Sequence, residues 1–217
     1  MKRTLLLVAF ASCDGPATLQ PWQLDHDRVV AVRAELPHIA PGEVTILDGL
    51  IAHADGPTSL SPAANAAAPN APGDLFTAVH FYINHWRVDG PDEARLAVAR
   101  AELGLPADAP VPLDVVLEFP GPLYAQKTVW LGDSRANPAA PALVYGPTLA
   151  LGVDYELVQH APANGSVRWL TSCGTLVGDT EPRVTHVVDE PCEGELVVVV
   201  RDAEGGVAWQ VLPISAK

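Results

Sequence analysis

The sequence predicts an all-β protein of two β-sandwich domains, with one short helical insertion in the first domain. Segments with strand character outnumber helical ones, and turn signals separate them about every 8–12 residues, as in sandwich folds. The 21 prolines and 17 glycines favour many turns and few long helices. A chain of 217 residues allows one large or two small domains. We place the boundary in Asp133–Pro141 and assign residues 22–134 and 138–217 to the two domains.

The strongest strand signal lies near the C-terminus, in Gly194–Ile214. Leu196–Val200 is apolar at every position, which predicts a strand covered on both faces or a central strand of a sandwich. Residues 201–206 have turn chemistry, and Val207–Ile214 alternates as a second strand. Its two faces carry Val207, Trp209 and Val211 on one side, and Ala208, Gln210 and Leu212 on the other. The pattern predicts a C-terminal hairpin, and its core is expected to include Trp169, Cys173 and Cys192.

The first domain is predicted to begin with two strands around a Pro-Gly bend. Arg28–Leu36 alternates, with Val30, Val32 and Ala34 on one face. Glu43–Ala54 alternates in the same way, and its central glycine is a candidate bulge.

The rest of the first domain combines strands with a loop and a helix. Residues 55–74 are low-complexity Ala, Pro, Asn and Ser, which predicts a long exposed loop. Leu75–Val88 is rich in aromatic and β-branched residues and predicts one strand. Pro91–Leu103 predicts a helix, with Pro91 at its first position and Gly104 as its stop. Two further strands are expected at Val111–Phe119 and Leu123–Leu131.

The second domain is predicted to contain strands throughout. Leu143–His160 gives one or two strands. Ala161–Gly165 is a turn whose Asn-Gly pair favours the primed hairpin type. Val167–Leu176 is expected to form one strand that carries Trp169.

The layout of these strands resembles a known group of surface proteins. A strand, a Pro-Gly bend and an apolar strand are similar to the opening of an immunoglobulin-like sandwich. The segments that carry the resemblance are DRVVAVRAELPHIAPGE (27–43), VRWLTSCGTL (167–176) and VVVVRDAEGGVAW (197–209). They resemble hypothetical Ig-like outer-surface lipoproteins of Gram-negative bacteria, particularly the two-domain lipoproteins of myxobacteria. The resemblance implies two Ig-like β-sandwich domains and no specific function.

The N-terminal segment Met1–Cys13, MKRTLLLVAFASC, resembles a bacterial lipoprotein signal. Lys2 and Arg3 form a positive region, a short apolar stretch follows, and small residues precede Cys13. The apolar stretch is far shorter than the roughly 20 residues of a spanning helix. The resemblance implies a signal peptide over residues 1–12, lipid on Cys13 and a tether over residues 13–21. The alternatives are an ordinary secretory signal or a buried N-terminal strand.

The cysteine count agrees with export. The chain has three cysteines, and assigning Cys13 to lipid leaves Cys173 and Cys192. In an oxidising compartment such a pair is expected to form a disulfide. Two buried free thiols are the alternative, and a metal site is a weaker one because no CxxC spacing is present.

The acidic charge balance disfavours some partners. The chain has 13 basic and 26 acidic residues and a net charge of −13. Nucleic acids require a basic patch, so no nucleic-acid partner is expected. Electrostatic docking on anionic lipid is disfavoured for the same reason.

Histidines are the sharpest candidates for chemistry. His80 and His85 lie on the predicted aromatic strand, and His26 is flanked by Asp25 and Asp27. Histidine and carboxylate together can bind a transition metal. Because His80 and His85 are five positions apart, one regular strand would point them to opposite faces. They are therefore weak candidates for metal ligands.

Other candidates have simpler structural interpretations. Ser172 does not lie in a GxSxG nucleophile elbow, so we interpret it as a serine of a strand or a turn. Asp202 and Glu204 form either a cation site or a solvated turn. Trp22 and Trp86 either stack on a sugar or a peptide, or belong to the core.

The sequence favours a non-enzymatic lipoprotein of the cell envelope, a binding or structural β-sandwich module. It would be exported and lipid-anchored in the periplasm or at the outer-membrane surface, with an envelope protein or a glycan as partner and with no cofactor. The alternative is an envelope enzyme or a metal-binding protein, with its site near residues 75–88 and the 55–74 loop.

The lipid anchor can be tested by one substitution. We expect Cys13→Ala to release the protein from membranes, because acyl chains supply the binding energy at ~0.8 kcal/mol for each buried CH₂. Fractionation of cells followed by immunoblotting measures this. A variant that stays in the membrane fraction would show that the anchor is assigned wrongly.

Overall fold

The computed structural model describes residues 20–146 and 148–217. Half of the described residues are in strands and 8% are helical, so the predicted all-β class is confirmed. The expected signal peptide, Cys13 and most of the expected tether lie outside the described residues. Within the described part of the chain, no helix is long and apolar enough to cross a membrane.

Strands dominate the first half of the described chain. The elements are β1 (Arg28–Ala34), β2 (His38–Ile39), β3 (Val44–His53), β4 (Gly56–Pro62), β5 (Asn65–Ala67), a 3-10 helix (Leu75–Ala78), β6 (Val79–Tyr82), β7 (His85–Asp89), α1 (Glu93–Leu103), β8 (Val111–Phe119) and β9 (Leu123–Leu131).

In the second half of the chain, all the elements that the structure describes are strands. They are β10 (Thr148–Leu149), β11 (Asp154–Val158), β12 (Ser166–Thr171), β13 (Thr175–Val177), β14 (Arg183–Val187), β15 (Cys192–Arg201) and β16 (Val207–Ala216).

These strands form four sheets. Sheet I has the order β2-β9-β8-β5, and sheet II has the order β1-β3-β7-β6, with β4 also paired to β3. Sheet III has the order β10-β16-β15-β12, and sheet IV the order β11-β14-β13. The pairs are antiparallel except for the short parallel pairs β2–β9 and β10–β16. Each half of the chain therefore supplies two sheets.

Three hydrophobic cores show that the four sheets are stacked. The first core lies between sheets I and II and includes Leu47 and Leu113. The last core lies between sheets III and IV and includes Trp169. A middle core joins sheets II and III through residues such as Leu50 and Val199. The order of layers is therefore I, II, III, IV.

The uniformly apolar run in β15 is explained by its place in this stack. Leu196 and Val198 face the last core, whereas Val197 and Val199 face the middle core. All four side chains are fully buried. The prediction of a strand covered on both faces is confirmed, because β15 has a sheet packed on each side.

A β-bulge changes the predicted faces of β1. The register with β3 shifts between Val29 and Ala31, which leaves Val30 as the extra residue. Val32 and Ala34 face the first core as predicted, but Val30 packs on the middle core. The face assignment of Val30 was wrong because one inserted residue reverses the alternation.

The predicted loop at residues 55–74 contains two strands and is corrected here. β4 pairs with β3, and β5 pairs with β8. Ala63, Ala66 and Ala68 are buried in the first core. Alanine side chains are small enough to let these segments approach the sheets closely. The low-complexity segment therefore forms ordered strands and is not the exposed loop that its composition predicted.

The helical insertion is present, with its start shifted. Asp92 is the N-cap, and its carboxylate accepts a hydrogen bond from the backbone N–H of Arg95 at 2.9 Å. Pro91 therefore precedes the cap and is not the first helical residue. Gly104 ends the helix at a φ of 65°, as predicted.

Two predictions for the second half are also corrected. Val167–Leu176 is not one strand, because β12 belongs to sheet III and β13 to sheet IV. The Asn-Gly turn at residues 161–165 joins β11 to β12, which lie in different sheets, so it does not close a hairpin. Asn164 does adopt the positive φ that such a turn favours, at 56°.

The Cys173–Cys192 disulfide is present. Its sulfurs are 2.01 Å apart, and it links the segment between β12 and β13 to the start of β15. Cys173 is buried in the last core beside Trp169, whose indole N–H donates to the carbonyl of Glu181 at 2.9 Å. The predicted core around the C-terminal hairpin is confirmed.

Asn137, in the segment between the two halves, bonds to both of them. Its amide N–H groups donate to the carbonyls of Ala34 and Glu35 at 2.7 and 2.8 Å. Its carbonyl accepts from the backbone N–H of Val207 at 2.8 Å. The connecting segment is therefore held against sheets II and III.

Gly49 provides a test of packing in the first core. A Cβ at Gly49 would lie 2.6 Å from the ring of Phe119. We expect Gly49→Ala to lower the free energy of unfolding by about 1–3 kcal/mol, because overpacking forces a buried ring to move. Thermal unfolding followed by circular dichroism measures the change.

Gly56→Ala is the matched control. No heavy atom lies within 4 Å of a Cβ at Gly56. Its melting temperature should stay close to that of the wild type. Equal melting temperatures for the two variants would contradict the packing of Phe119 on Gly49.

Candidate functional site

The segment predicted as one strand, Leu75–Val88, is a 3-10 helix followed by a hairpin. Strands β6 and β7 pair with Tyr82 opposite His85, so Ile83 and Asn84 form a two-residue loop. Both loop residues have positive φ, 41° and 68°, as a type I′ turn requires. The single-strand prediction was wrong because the chain reverses here without the usual Asn-Gly or Asp-Gly signal.

The tip of this hairpin is a strained and exposed point. Ile83 is β-branched, and such residues rarely adopt positive φ. Its side chain is 68% exposed, so burial does not compensate for the strain. Strained backbone that persists in a fold is concentrated at functional sites, which draws attention to this hairpin.

The inner face of the hairpin carries an aromatic pair. The rings of Phe81 and Trp86 have centroids 5.6 Å apart at an angle of 61°, an edge-to-face arrangement. Trp86 packs against the first core, whereas Phe81 is 55% exposed. The pair therefore extends the core outward to solvent.

An open groove of about 490 Å³ runs beside Trp86. We call it the aromatic groove, and it is lined by Ala66, Ala67, Ala68, Pro69, Ala71, Phe76, Val79 and Trp86. The described lining contains no titratable side chain. The floor consists of small residues around β5, so a ligand could approach the rings closely.

Helix α1 holds the rim of the aromatic groove in place. The guanidinium of Arg95 donates to the carboxylate and the carbonyl of Asp74, both at 2.9 Å, and to the hydroxyl of Thr77 at 2.7 Å. These contacts fix the 3-10 helix that carries Phe76. The ring of Phe76 is 58% exposed at the rim. The helical insertion therefore positions an aromatic side chain.

The indole N–H of Trp86 lacks a partner. Its nitrogen is buried and has no hydrogen bond to any described residue. A buried donor without a partner costs free energy, and an acceptor supplied by a ligand would remove that cost.

The outer face of the hairpin has a different, polar character. Arg87 stacks on the ring of Tyr82 at 4.2 Å and pairs with Asp89 at 3.0 Å. Its Nε donates to Nε2 of His80 at 2.9 Å. The lone pair of His80 Nε2 is thus occupied by a hydrogen bond, which makes this nitrogen a poor metal ligand.

The histidine candidates do not converge. The hairpin places His80 and His85 on one face, contrary to the prediction for a single strand. His26 lies near the start of β1 and bonds to Asp25 at 2.6 Å. Among the described residues, no group of three or more His, Cys, Asp or Glu side chains could hold a metal ion.

The remaining candidates from the sequence have structural roles. The hydroxyl of Ser172 accepts from the backbone N–H of Glu195 at 2.9 Å. The carboxylate of Asp202 accepts from the backbone N–H groups of Glu204 and Gly206, which shapes the hairpin turn. Trp22 packs against the last core.

A buried histidine near the disulfide is also structural. His186 is fully buried, and its two ring nitrogens bond to the hydroxyl of Tyr145 at 2.9 Å and the carbonyl of Cys173 at 2.7 Å. Since a carbonyl only accepts, Nε2 carries the proton and Nδ1 accepts from Tyr145. Burial lowers the pKa of His186 and raises that of Tyr145, so both groups stay neutral.

Sequence reasoning identified Trp86 but missed Phe76 and Phe81 as parts of one site. The pairing of Phe81 with Trp86 depends on the reversal at Ile83-Asn84, and the position of Phe76 at the groove depends on the anchoring of the 3-10 helix by Arg95. The local clue was Asn84, because asparagine tolerates positive φ better than most residues.

Comparisons with known proteins do not assign a family. No family model matches the chain, and no curated protein matches it significantly. A solved structure with some likeness is the Bacteroides ovatus mixed-linkage glucan utilization locus SGBP-B in complex with a mixed-linkage heptasaccharide. The identity is 10% and the TM-score 0.22, over 89% of this chain and 45% of that chain. The chain thus spans less than half the length of that protein, and a TM-score this low does not establish a shared fold.

Proposed function

We propose that the protein is a non-enzymatic glycan-binding lipoprotein of the bacterial cell envelope. In this proposal sheets I and II, and sheets III and IV, are two immunoglobulin-like sandwich domains. Export is supported by the Cys173–Cys192 disulfide, because such bonds persist in oxidising compartments. The anchor is lipid on Cys13, as the N-terminal signal implies.

The aromatic groove is the proposed glycan site. The observation that carries this assignment is that Phe76 and Trp86 line one open groove, while Phe81 packs edge-to-face on Trp86. The C–H groups on the apolar face of a sugar ring are weakly positive, and the face of an aromatic ring is negative. Sugar rings therefore stack well on exposed aromatic side chains.

Polar complementarity supports the same ligand class. The buried indole N–H of Trp86 has no partner among the described residues, and a sugar hydroxyl, unlike an aliphatic ligand, could accept its hydrogen bond if binding turns the ring toward the groove. The groove is open to solvent, so a chain-like ligand could enter it. The lack of titratable groups in the described lining favours binding without catalysis and a neutral glycan.

The double variant Phe76→Ala/Phe81→Ala tests the proposed site. Both rings are more than half exposed, so their loss should leave the fold intact. Each stacking contact contributes about 1 kcal/mol, so the double variant should bind neutral oligosaccharides roughly 30-fold more weakly. Titration calorimetry against a panel of neutral glucans and other hexose oligomers measures the affinity.

Tyr82→Ala is the matched control, because Tyr82 lies on the same hairpin but on its outer face. It should bind like the wild type. The proposal fails if no member of the panel binds the wild type, or if Tyr82→Ala weakens binding as much as the double variant.

A further inference from the structure

A second groove lies where the two sheet pairs meet. Its lining includes charged side chains, whereas the described lining of the aromatic groove does not. It has a volume of about 360 Å³ and lies between β1, the β9 segment Tyr124–Thr128 and the turn that joins β15 to β16. We call it the junction groove. Its charged lining side chains are Lys127, Arg201 and Asp202.

Two cations of the junction groove have no carboxylate partner. The ammonium of Lys127, which is only 6% exposed, donates to the carbonyl of Gly205. The guanidinium of Arg201 donates to the carbonyl of Val30 at 3.2 Å. Within the described part of the chain, neither side chain forms an ion pair.

This arrangement is unusual in a chain with twice as many acidic as basic residues. Most other arginines of the described chain do pair with carboxylates, such as Arg33 with Asp48 and Arg183 with Glu156, and Arg28 is the exception. A buried cation without an anion is costly, and the fold would avoid it if the site were purely structural. An anion from outside the chain would remove the cost.

Burial affects the pKa values of both cations. The pKa of Lys127 is lowered to about 8, chiefly by burial; the charge of Asp202 opposes this lowering, and the charge of Arg201 adds a smaller contribution to it. Burial and the charge of Arg168 lower the pKa of Arg201. Arg168 is itself neutralised by Asp179 at 2.9 Å. Burial is therefore the main cost of keeping Lys127 and Arg201 charged.

Asp202 is the one carboxylate in the described lining. Its Oδ1 already accepts two backbone hydrogen bonds, from Glu204 at 2.9 Å and Gly206 at 2.6 Å. Among the described residues it forms no ion pair with either cation, although its charge acts on Lys127.

We propose that the junction groove is a binding site for a compact oxyanion, a carboxylate or a phosphate group, held by Lys127 and Arg201. Arginine binds both groups in a bidentate manner, and lysine adds a point charge. The volume suits one charged group with the sugar or small molecule that bears it. The site does not depend on glycan binding at the aromatic groove.

Inorganic phosphate and glucuronate are the probes, and glucose is the neutral control. Each is titrated into the full chain at low ionic strength, with affinity read by NMR chemical shifts. We expect saturable binding of at least one anion and none of glucose. Lys127→Met and Arg201→Met should each weaken binding about tenfold, because each removes a charge-assisted hydrogen bond.

Two further variants keep the test decisive even if Lys127→Met folds poorly. Asp202→Asn keeps an oxygen that accepts in the turn but removes the opposing charge, so affinity should rise about two- to fivefold. Arg183→Met removes an exposed cation that pairs with Glu156, and it should leave the affinity for the anion unchanged.

The outcomes separate the sources of the anion. Stronger binding of phosphate indicates a phosphorylated ligand, and stronger binding of glucuronate indicates an acidic sugar. The proposal is overturned if neither anion gives saturable shifts around Lys127. It is also overturned if Arg183→Met weakens binding as much as Arg201→Met, since the effect would then be general electrostatics.

Discussion

The middle core between sheets II and III is the contact on which the architecture depends. It brings Leu50 and Ala52 of β3 against Val197 and Val199 of β15, all of them buried. Burying a Leu or Val side chain contributes roughly 1.5–3 kcal/mol, so a set of such residues holds two sheet pairs together firmly. Without this core, one face of β15 and one face of β3 would be exposed apolar surface. The hydrophobic run in β15 is thus explained by the stack as a whole.

Both proposed sites are consequences of how the stack is closed. The junction groove exists because sheets II and III pack face to face while the β15–β16 turn reaches across to β9. The aromatic groove lies between the β5 segment, the 3-10 helix and the β6–β7 hairpin. Helix α1 lies outside the sheets and anchors the rim. One groove is aromatic and free of titratable groups, and the other is polar and cationic. They suit different ligand chemistries.

Sequence patterns predicted the fold correctly where the residues of a single strand were enough to show which of its faces are buried. The run at Leu196–Val200 and the alternation of Val207–Ile214 were sufficient, because period and turn chemistry are local. Prediction failed where one residue changed the alternation, as at the bulge at Val30, or where an unusual pair made a turn, as at Ile83-Asn84. Site residues were harder still. Lys127 and Arg201 are far apart in the chain, and no local pattern says that they share a groove.

Differential scanning calorimetry of the purified chain tests the central claim that the middle core makes the four layers one cooperative body. The account predicts a single unfolding transition whose calorimetric enthalpy equals its van't Hoff enthalpy, because neither sheet pair can unfold without exposing the middle core. Two separate transitions, each with the enthalpy expected for about half of the chain, would contradict it. In that case the sheet pairs would be independent units, and the junction groove would lack a fixed shape.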